Sequence, residues 1–252
     1  MVEPKHSSAP QSAIEWKKVT WSSSDGQVVL ADVDLRIPQA GVLYLAGPSG
    51  CGKTTVLRLA SRLLEPSSGS VLVDRRDVRQ WDIRALRRQV IYVPQRPIAL
   101  ADTVGEDLCT ALTWHDLTKS TDFLNAALAT AQAQELTLQR PTQGLSEGQL
   151  ARLSLARALA LQPKVLLLDE PTAALDPRAA NALLISVGQW AHTNQCTIAC
   201  VTHRLAERTA LPGMTAVLLN GHLWGPFSEE QLAEPTLAQP VADFLCAKEV
   251  PS

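Results

Sequence analysis

The stretch that most constrains this 252-residue chain is Gly47-Pro48-Ser49-Gly50-Cys51-Gly52-Lys53-Thr54, followed by Thr55, which has the spacing G-x-x-x-x-G-K-[ST]. The apolar run before it, Val42–Ala46, predicts a buried strand, and the residues after it predict a helix running to about Leu64. A strand that stops at glycines and restarts as a helix gathers backbone N–H groups around one point. Glycine allows an anion to come close, and the helix start adds partial positive charge. A phosphate chain is the ligand that such a loop cradles. Lys53 would reach its β- and γ-phosphates, and the Thr54 hydroxyl would hold Mg²⁺.

A second run, Val165-Leu166-Leu167-Leu168-Asp169-Glu170, is an apolar strand ending in two adjacent carboxylates. Asp169 at its tip suits the Mg²⁺ shell, and Glu170 can polarise an attacking water. Further strands are expected at 90–93 and 197–201, the last reached through a helix over about 178–192. Such alternation defines an α/β fold with a mostly parallel sheet, here a P-loop NTPase core. Residues 14–37 alternate around the turn Ser24-Asp25-Gly26-Gln27 and predict an antiparallel β layer near the N-terminus. Between Gln95 and Lys164 strand signal gives way to helical periodicity, notably at 122–133 and 147–161, so a helical subdomain is inserted into the core. The expected organisation is a flexible tail at 1–13, a core at 14–95 and 164–225, the helical subdomain at 96–163 and a C-terminal tail at 226–252.

Composition excludes several alternatives. The formal net charge is −2, so no basic field is available for a phosphate backbone and no nucleic-acid partner is expected. Arg84, Arg87 and Arg88 read as one solvated helix face. No apolar run approaches the ~18 residues of a membrane helix, and the N-terminal residues lack the apolar core of a signal peptide. The five cysteines show no metal-binding spacing and suggest a reducing cytoplasm; Cys196 and Cys200 fall on one face as small core residues.

A phosphate loop and an Asp-Glu pair also occur in kinases, helicases and GTPases. Leu145-Ser146-Glu147-Gly148-Gln149 narrows the choice, because it resembles the LSGGQ signature of ATP-binding cassette (ABC) ATPases. The other elements of that family follow in order: Gln95 matches its Q-loop, Ala174-Leu175-Asp176 its D-loop, and His203 its switch histidine. The resemblance implies an ATPase with ATP and Mg²⁺ as cofactors. It implies Glu170, His203 and Gln95 as catalytic residues, with Gln95 joining Thr54 and Asp169 around the metal. Nucleotide binding falls to residues 47–55 and, from a second copy of the chain, to Ser146, Gly148 and Gln149. The two copies would form a head-to-tail dimer, Ser146 of one completing the site on Lys53 of the other, with Asp176 passing contacts across the seam. The ATPase would work on the cytoplasmic face of a membrane, held there by an integral membrane permease.

Two positions depart from the family pattern. Ser23 stands where an aromatic residue usually stacks on adenine, with Trp21 two residues earlier as a substitute. Glu147 replaces a glycine of the signature, at a helix start where a carboxylate suits the dipole. Besides a transporter motor, a soluble cassette ATPase that drives assembly and a P-loop kinase are the competing classes. Water-activating Glu170, where a kinase needs a lid for its acceptor, argues against the last.

Overall fold

The computed structural model describes residues 11–249 apart from 203 and 235. The first third contains β1 (Ser12–Ser22), β2 (Val28–Pro38), β3 (Val42–Ala46), α1 (Lys53–Ala60), β4 (Ser68–Val73) and β5 (Arg76–Asp77). Next come α2 (Ile83–Gln89), β6 (Val90–Val93) and the helices α3 (Val104–Thr113), α4 (Thr121–Thr130) and α5 (Glu147–Ala160). The chain returns through β7 (Val165–Asp169), α6 (Pro177–Thr193) and β8 (Thr197–Val201). It ends with β9 (Met214–Leu219), β10 (His222–Phe227), α7 (Glu229–Leu232) and α8 (Gln239–Glu249).

Two sheets result. The larger runs β10-β9-β3-β8-β7-β6, parallel except for the β9–β10 pair. The smaller is antiparallel, in the order β2-β1-β4-β5. Strands β7 and β8 are buried at every position, as central parallel strands covered on both faces must be. One apolar core lies between the sheets, where Trp16, Leu30 and Ile37 meet Leu43, Leu45 and Leu57. A second covers the opposite face of the larger sheet and binds α3 through α6 to it, with Cys196 and Cys200 both buried inside. The expected antiparallel layer, parallel core and inserted helices are all present.

Three local expectations are corrected. Helix α1 stops at Ala60 rather than near Leu64, because Arg62 takes a left-handed φ of 50° and Leu63 N–H donates back to Arg58 O at 2.8 Å. That closure caps the orphan carbonyls of the last turn. Strand β1 begins at Ser12, inside the expected tail. The chain beyond 225 also contains regular structure: β10 crosses that boundary, and Val241 of α8 is fully buried against Ala46 and Val217. Proline-rich sequence hides this helix, because Pro240 sits in its first turn, where no N–H partner is needed.

The parallel strands deliver their C-terminal ends to one edge. The glycine loop leaves β3 there, Gln95 follows β6, Glu170 follows β7 and Thr202 follows β8. Crevices at such strand ends are where α/β sheets bind ligands.

Candidate functional site

Glycine is obligatory at the start of the phosphate loop. Gly47 has φ 150°, and a Cβ there would lie 2.4 Å from Leu218 O of the neighbouring strand. Gly52 caps α1 at φ 107° without a side-chain acceptor, which leaves the first-turn N–H groups to an anion. Pro48, Ser49 and Gly50 are exposed; Cys51, Thr54 and Thr55 are half-buried. Lys53 is buried, and its ammonium donates to Gly47 O at 3.0 Å and Pro48 O at 2.7 Å. The cation is thus held at the loop mouth by the loop's own carbonyls.

Asp169 is 3% exposed, and three bonds converge on its carboxylate. The Thr54 hydroxyl lies 2.9 and 3.1 Å from its two oxygens, and the Tyr92 hydroxyl donates to Oδ2 at 2.8 Å. Burial, reinforced by the Asp169 charge, pushes the Tyr92 phenol up to about 12, so it stays a proton donor at neutral pH. Next along the chain, Glu170 has φ 51°, a left-handed conformation fixed by its N–H bond to Val201 O at 3.1 Å. Gln95 Nε2 donates to Glu170 Oε2 at 2.6 Å, tying the segment after β6 to the carboxylate after β7. Lys53, Thr54, Asp169, Glu170 and Gln95 therefore form one cluster.

The signature residues form a second one. Ser146 is the N-cap of α5: its hydroxyl accepts from Gln149 N–H at 3.3 Å, and Gln149 Oε1 accepts from Ser146 N–H at 3.1 Å. This reciprocal box fixes the helix start with Ser146 and Glu147 exposed. A Cβ on Gly148 would meet Ala174 O and Leu175 Cδ2, both at 3.1 Å, so the signature helix rests on the backbone just before Asp176. Asp176 caps α6, accepting from Arg178 N–H at 2.9 Å and Ala179 N–H at 3.1 Å, and these backbone bonds hold its carboxyl below the usual range. His203 lies outside the described residues.

At the N-terminal hairpin, Trp21 pairs with Leu30 and packs half-buried on the core between the sheets. The Ser23 hydroxyl bonds Asp25 and, at 3.1 Å, Gln27 O, so it braces the turn. Sequence reasoning missed Tyr92 as a donor to Asp169; its signal was its position on a strand whose neighbour is Leu167, two residues short of that carboxylate. It also missed Thr172, Thr202 and Glu207, which interact beneath the site and carry no motif spacing.

A P-loop core of this topology, with a helical lobe on one side and an antiparallel sheet on the other, defines an α/β ATPase of the P-loop class. The ABC transporter family model matches residues 30–173. The protein STAR1 of Oryza sativa subsp. japonica is 33% identical over 213 residues, covering 84% of this chain, which spans 62% of that relative's length. The phosphate import ATP-binding protein PstB of Shewanella denitrificans is 33% identical over 235 residues, with 88% and 85% covered. The solved structure of a bacterial Atm1-family ABC exporter with ATP bound superposes with a TM-score of 0.85 over the whole of this chain and 45% of the other. At 23% identity it shows the shared fold. The chain belongs to the ABC transporter family, as an ATP-binding ATPase.

Proposed function

We propose that this chain is the motor subunit of a transporter, coupling ATP-driven closure of a two-copy dimer to solute movement through a separate membrane permease. The observation that carries the proposal is the Gln95–Glu170 bond beside the Thr54–Asp169 pair: it joins the segment leading to the helical lobe directly to the candidate general base. The donor set fits Mg²⁺, which favours hard oxygens and needs only one or two protein ligands when phosphates supply others. Thr54, Asp169 and the Gln95 side-chain oxygen would hold it, and once bound it would neutralise charge on the β- and γ-phosphoryl oxygens. Lys53 grips the phosphates, Glu170 takes the proton of the attacking water, and Gln95 orients Glu170. Ser146 and Gly148 of a second copy, with His203, close on the γ-phosphate, and Asp176 meets the partner across the seam. Names of relatives such as the phosphate and phosphonates import ATP-binding proteins support the import direction.

No helix among the described residues is long and apolar enough to cross a membrane. The proposed path for solute lies in the permease partner, which would hold this chain on the cytoplasmic face. A groove of about 400 Å³ between α2, β6 and the helical lobe suits that docking; Ile83, Ile91, Trp114 and His115 line it, with Arg84 and Arg87 at one side. Burial, helped by Arg88 and Arg84, draws the His115 pKa down and favours its neutral form. Residues 96–108, with apolar Ile98 and Leu100, would extend the docking surface beside this groove: Arg157, in its lining, approaches Ile98 O at 3.5 Å, and Ile98 is 70% exposed. Ile98→Glu is expected to abolish coupled transport while basal ATP hydrolysis continues. Transport assayed in vesicles with the co-purified permease checks this, and full transport by the variant would remove the docking assignment. Recovery of only soluble proteins in a membrane-fraction pull-down would favour the assembly-ATPase alternative.

Base selectivity should be weak, since Ser23 offers no stacking face. GTP is expected to be hydrolysed within roughly tenfold of ATP, because one aromatic stack is worth about 1 kcal/mol. If Trp21 stacks instead, ATP is preferred by the parent and Trp21→Ala loses that preference. Competition kinetics decide between the two, and a strong ATP preference insensitive to Trp21→Ala contradicts both.

A further inference from the structure

We propose that Glu207 is a positioning residue for hydrolysis, a buried tie that sets the loop after Glu170 against the loop that carries His203. The inference rests on the roles proposed above for those two residues. Glu207 lies in a short 3₁₀ turn, Leu205–Thr209, and is 3% exposed. Its carboxylate is divided between two strand ends. Oε1 accepts from the Thr172 hydroxyl at 2.6 Å, two residues beyond Glu170. Oε2 accepts from the Thr202 hydroxyl at 2.6 Å, one residue before His203. Both threonines are themselves buried.

Two further bonds extend the tie. Arg204, on the other side of His203, donates its N–H to Thr202 Oγ1 at 3.0 Å and its Nη1 to Leu175 O at 3.2 Å, with that Nη1 3.9 Å from Glu207 Oε1. Leu175 precedes Asp176 and is one of the two residues on which Gly148 rests. Glu207 itself is anchored through its main chain, since the Tyr44 hydroxyl of β3 bonds Leu211 O at 3.0 Å and Glu207 O at 3.4 Å. The loop after the candidate base and the end of β8 thus meet at the Glu207 carboxylate, while β3 holds its main chain and Arg204 links it to the segment before Asp176. A carboxylate only accepts, so it suits two hydroxyl donors arriving from different loops. With both bonds made between buried groups, the relative placement of the loops is over-determined. Removing the carboxylate leaves two buried hydroxyls to find other partners, and each loop can then shift independently.

A misplacement of catalytic groups by about 1 Å slows reactions by roughly 10²-fold. Glu207→Ala is therefore expected to lower kcat by roughly 10- to 100-fold, with the Kd for a fluorescent ATP analogue within roughly threefold of the parent, since binding tolerates small shifts that chemistry does not. Glu207→Gln keeps the shape and both ties, its amide oxygen accepting from one threonine hydroxyl and its N–H donating to the other, and its kcat should recover to within roughly threefold of the parent. Thr172→Val, which keeps volume but removes one donor, should slow kcat in the same way, and Thr172→Ser should restore it. Those two variants decide the matter if Glu207→Ala does not fold. Parent kcat in Glu207→Ala or Thr172→Val would overturn the proposal. Equal slowing by Glu207→Gln and Glu207→Ala would overturn it too, because charge rather than placement would then be what matters. Glu170→Gln, assayed alongside, tests the underlying reading separately: undiminished hydrolysis there would refute the role of Glu170 and not that of Glu207.

Discussion

Glu170→Gln is expected to bind ATP as the parent does and to hydrolyse it about 10²–10⁴-fold more slowly, the usual cost of losing general-base help. The amide cannot take a proton from water, while Lys53, Thr54 and Asp169 keep their contacts and so preserve binding. With hydrolysis blocked, the nucleotide should hold two copies together, so size-exclusion chromatography in Mg-ATP should shift from monomer to dimer. Adding Ser146→Arg should abolish the shift by placing bulk and a cation where the γ-phosphate must lie. Ser146 also caps α5, and losing that cap costs about 1 kcal/mol, too little to unfold the domain. Ser146→Ala is therefore the control that loses the cap but not the space. A native hydrolysis rate in Glu170→Gln would remove it from the base role, and tight ATP binding without dimer formation would contradict a site shared between copies.

Asp107→Ala should destabilise the fold by about 3–5 kcal/mol, the range for stripping one partner from a buried ion pair. Asp107 is fully buried in α3, 2.6 Å from Arg157 Nη1, and its other oxygen accepts from Leu100 N–H at 2.5 Å. The variant strands the largely buried Arg157 guanidinium and frees the loop at 98–100 beside the proposed docking groove. Urea denaturation should show a lower midpoint at constant slope. Asp107→Leu with Arg157→Met, which removes both charges, should recover most of the loss. A shift below about 1 kcal/mol in the single variant would show that the pair is not a determinant of stability.

The parallel strands were legible because their signal is local. Val42–Ala46 and Val165–Leu168 are unbroken apolar runs that lead directly into chemistry-bearing residues, the glycine loop and Asp169, and both fold as read. Helices α5 and α6 were equally plain, each opened by a good N-cap, Ser146 and Asp176. Strand β4 was not: it opens Ser-Gly-Ser and is exposed at its start, and its place in the sheet depends on pairing with β1, some 50 residues earlier in sequence. Edge strand β10 is mostly exposed or half-buried, so no alternation marks it. At the site, motif spacing located the residues but not what they bond. That Lys53 lies on its own loop carbonyls, that Tyr92 meets Asp169, and that Glu207 gathers two threonines are facts of tertiary packing between segments with no fixed spacing.

The contact beneath the signature helix also explains which of its two glycines this chain could give up. At 148 even a methyl group would press on Ala174 O and Leu175 Cδ2 at 3.1 Å, so the residues just before Asp176 would have to shift by a few tenths of an ångström. At 147 the side chain is exposed on the first turn, where glutamate meets no such barrier and favours the helix dipole. Sequence drift at this motif is thereby channelled: position 147 is open to new charge, and so to tuning how two copies attract or repel one another, while a side chain at position 148 requires the segment before Asp176 to give way by a few tenths of an ångström.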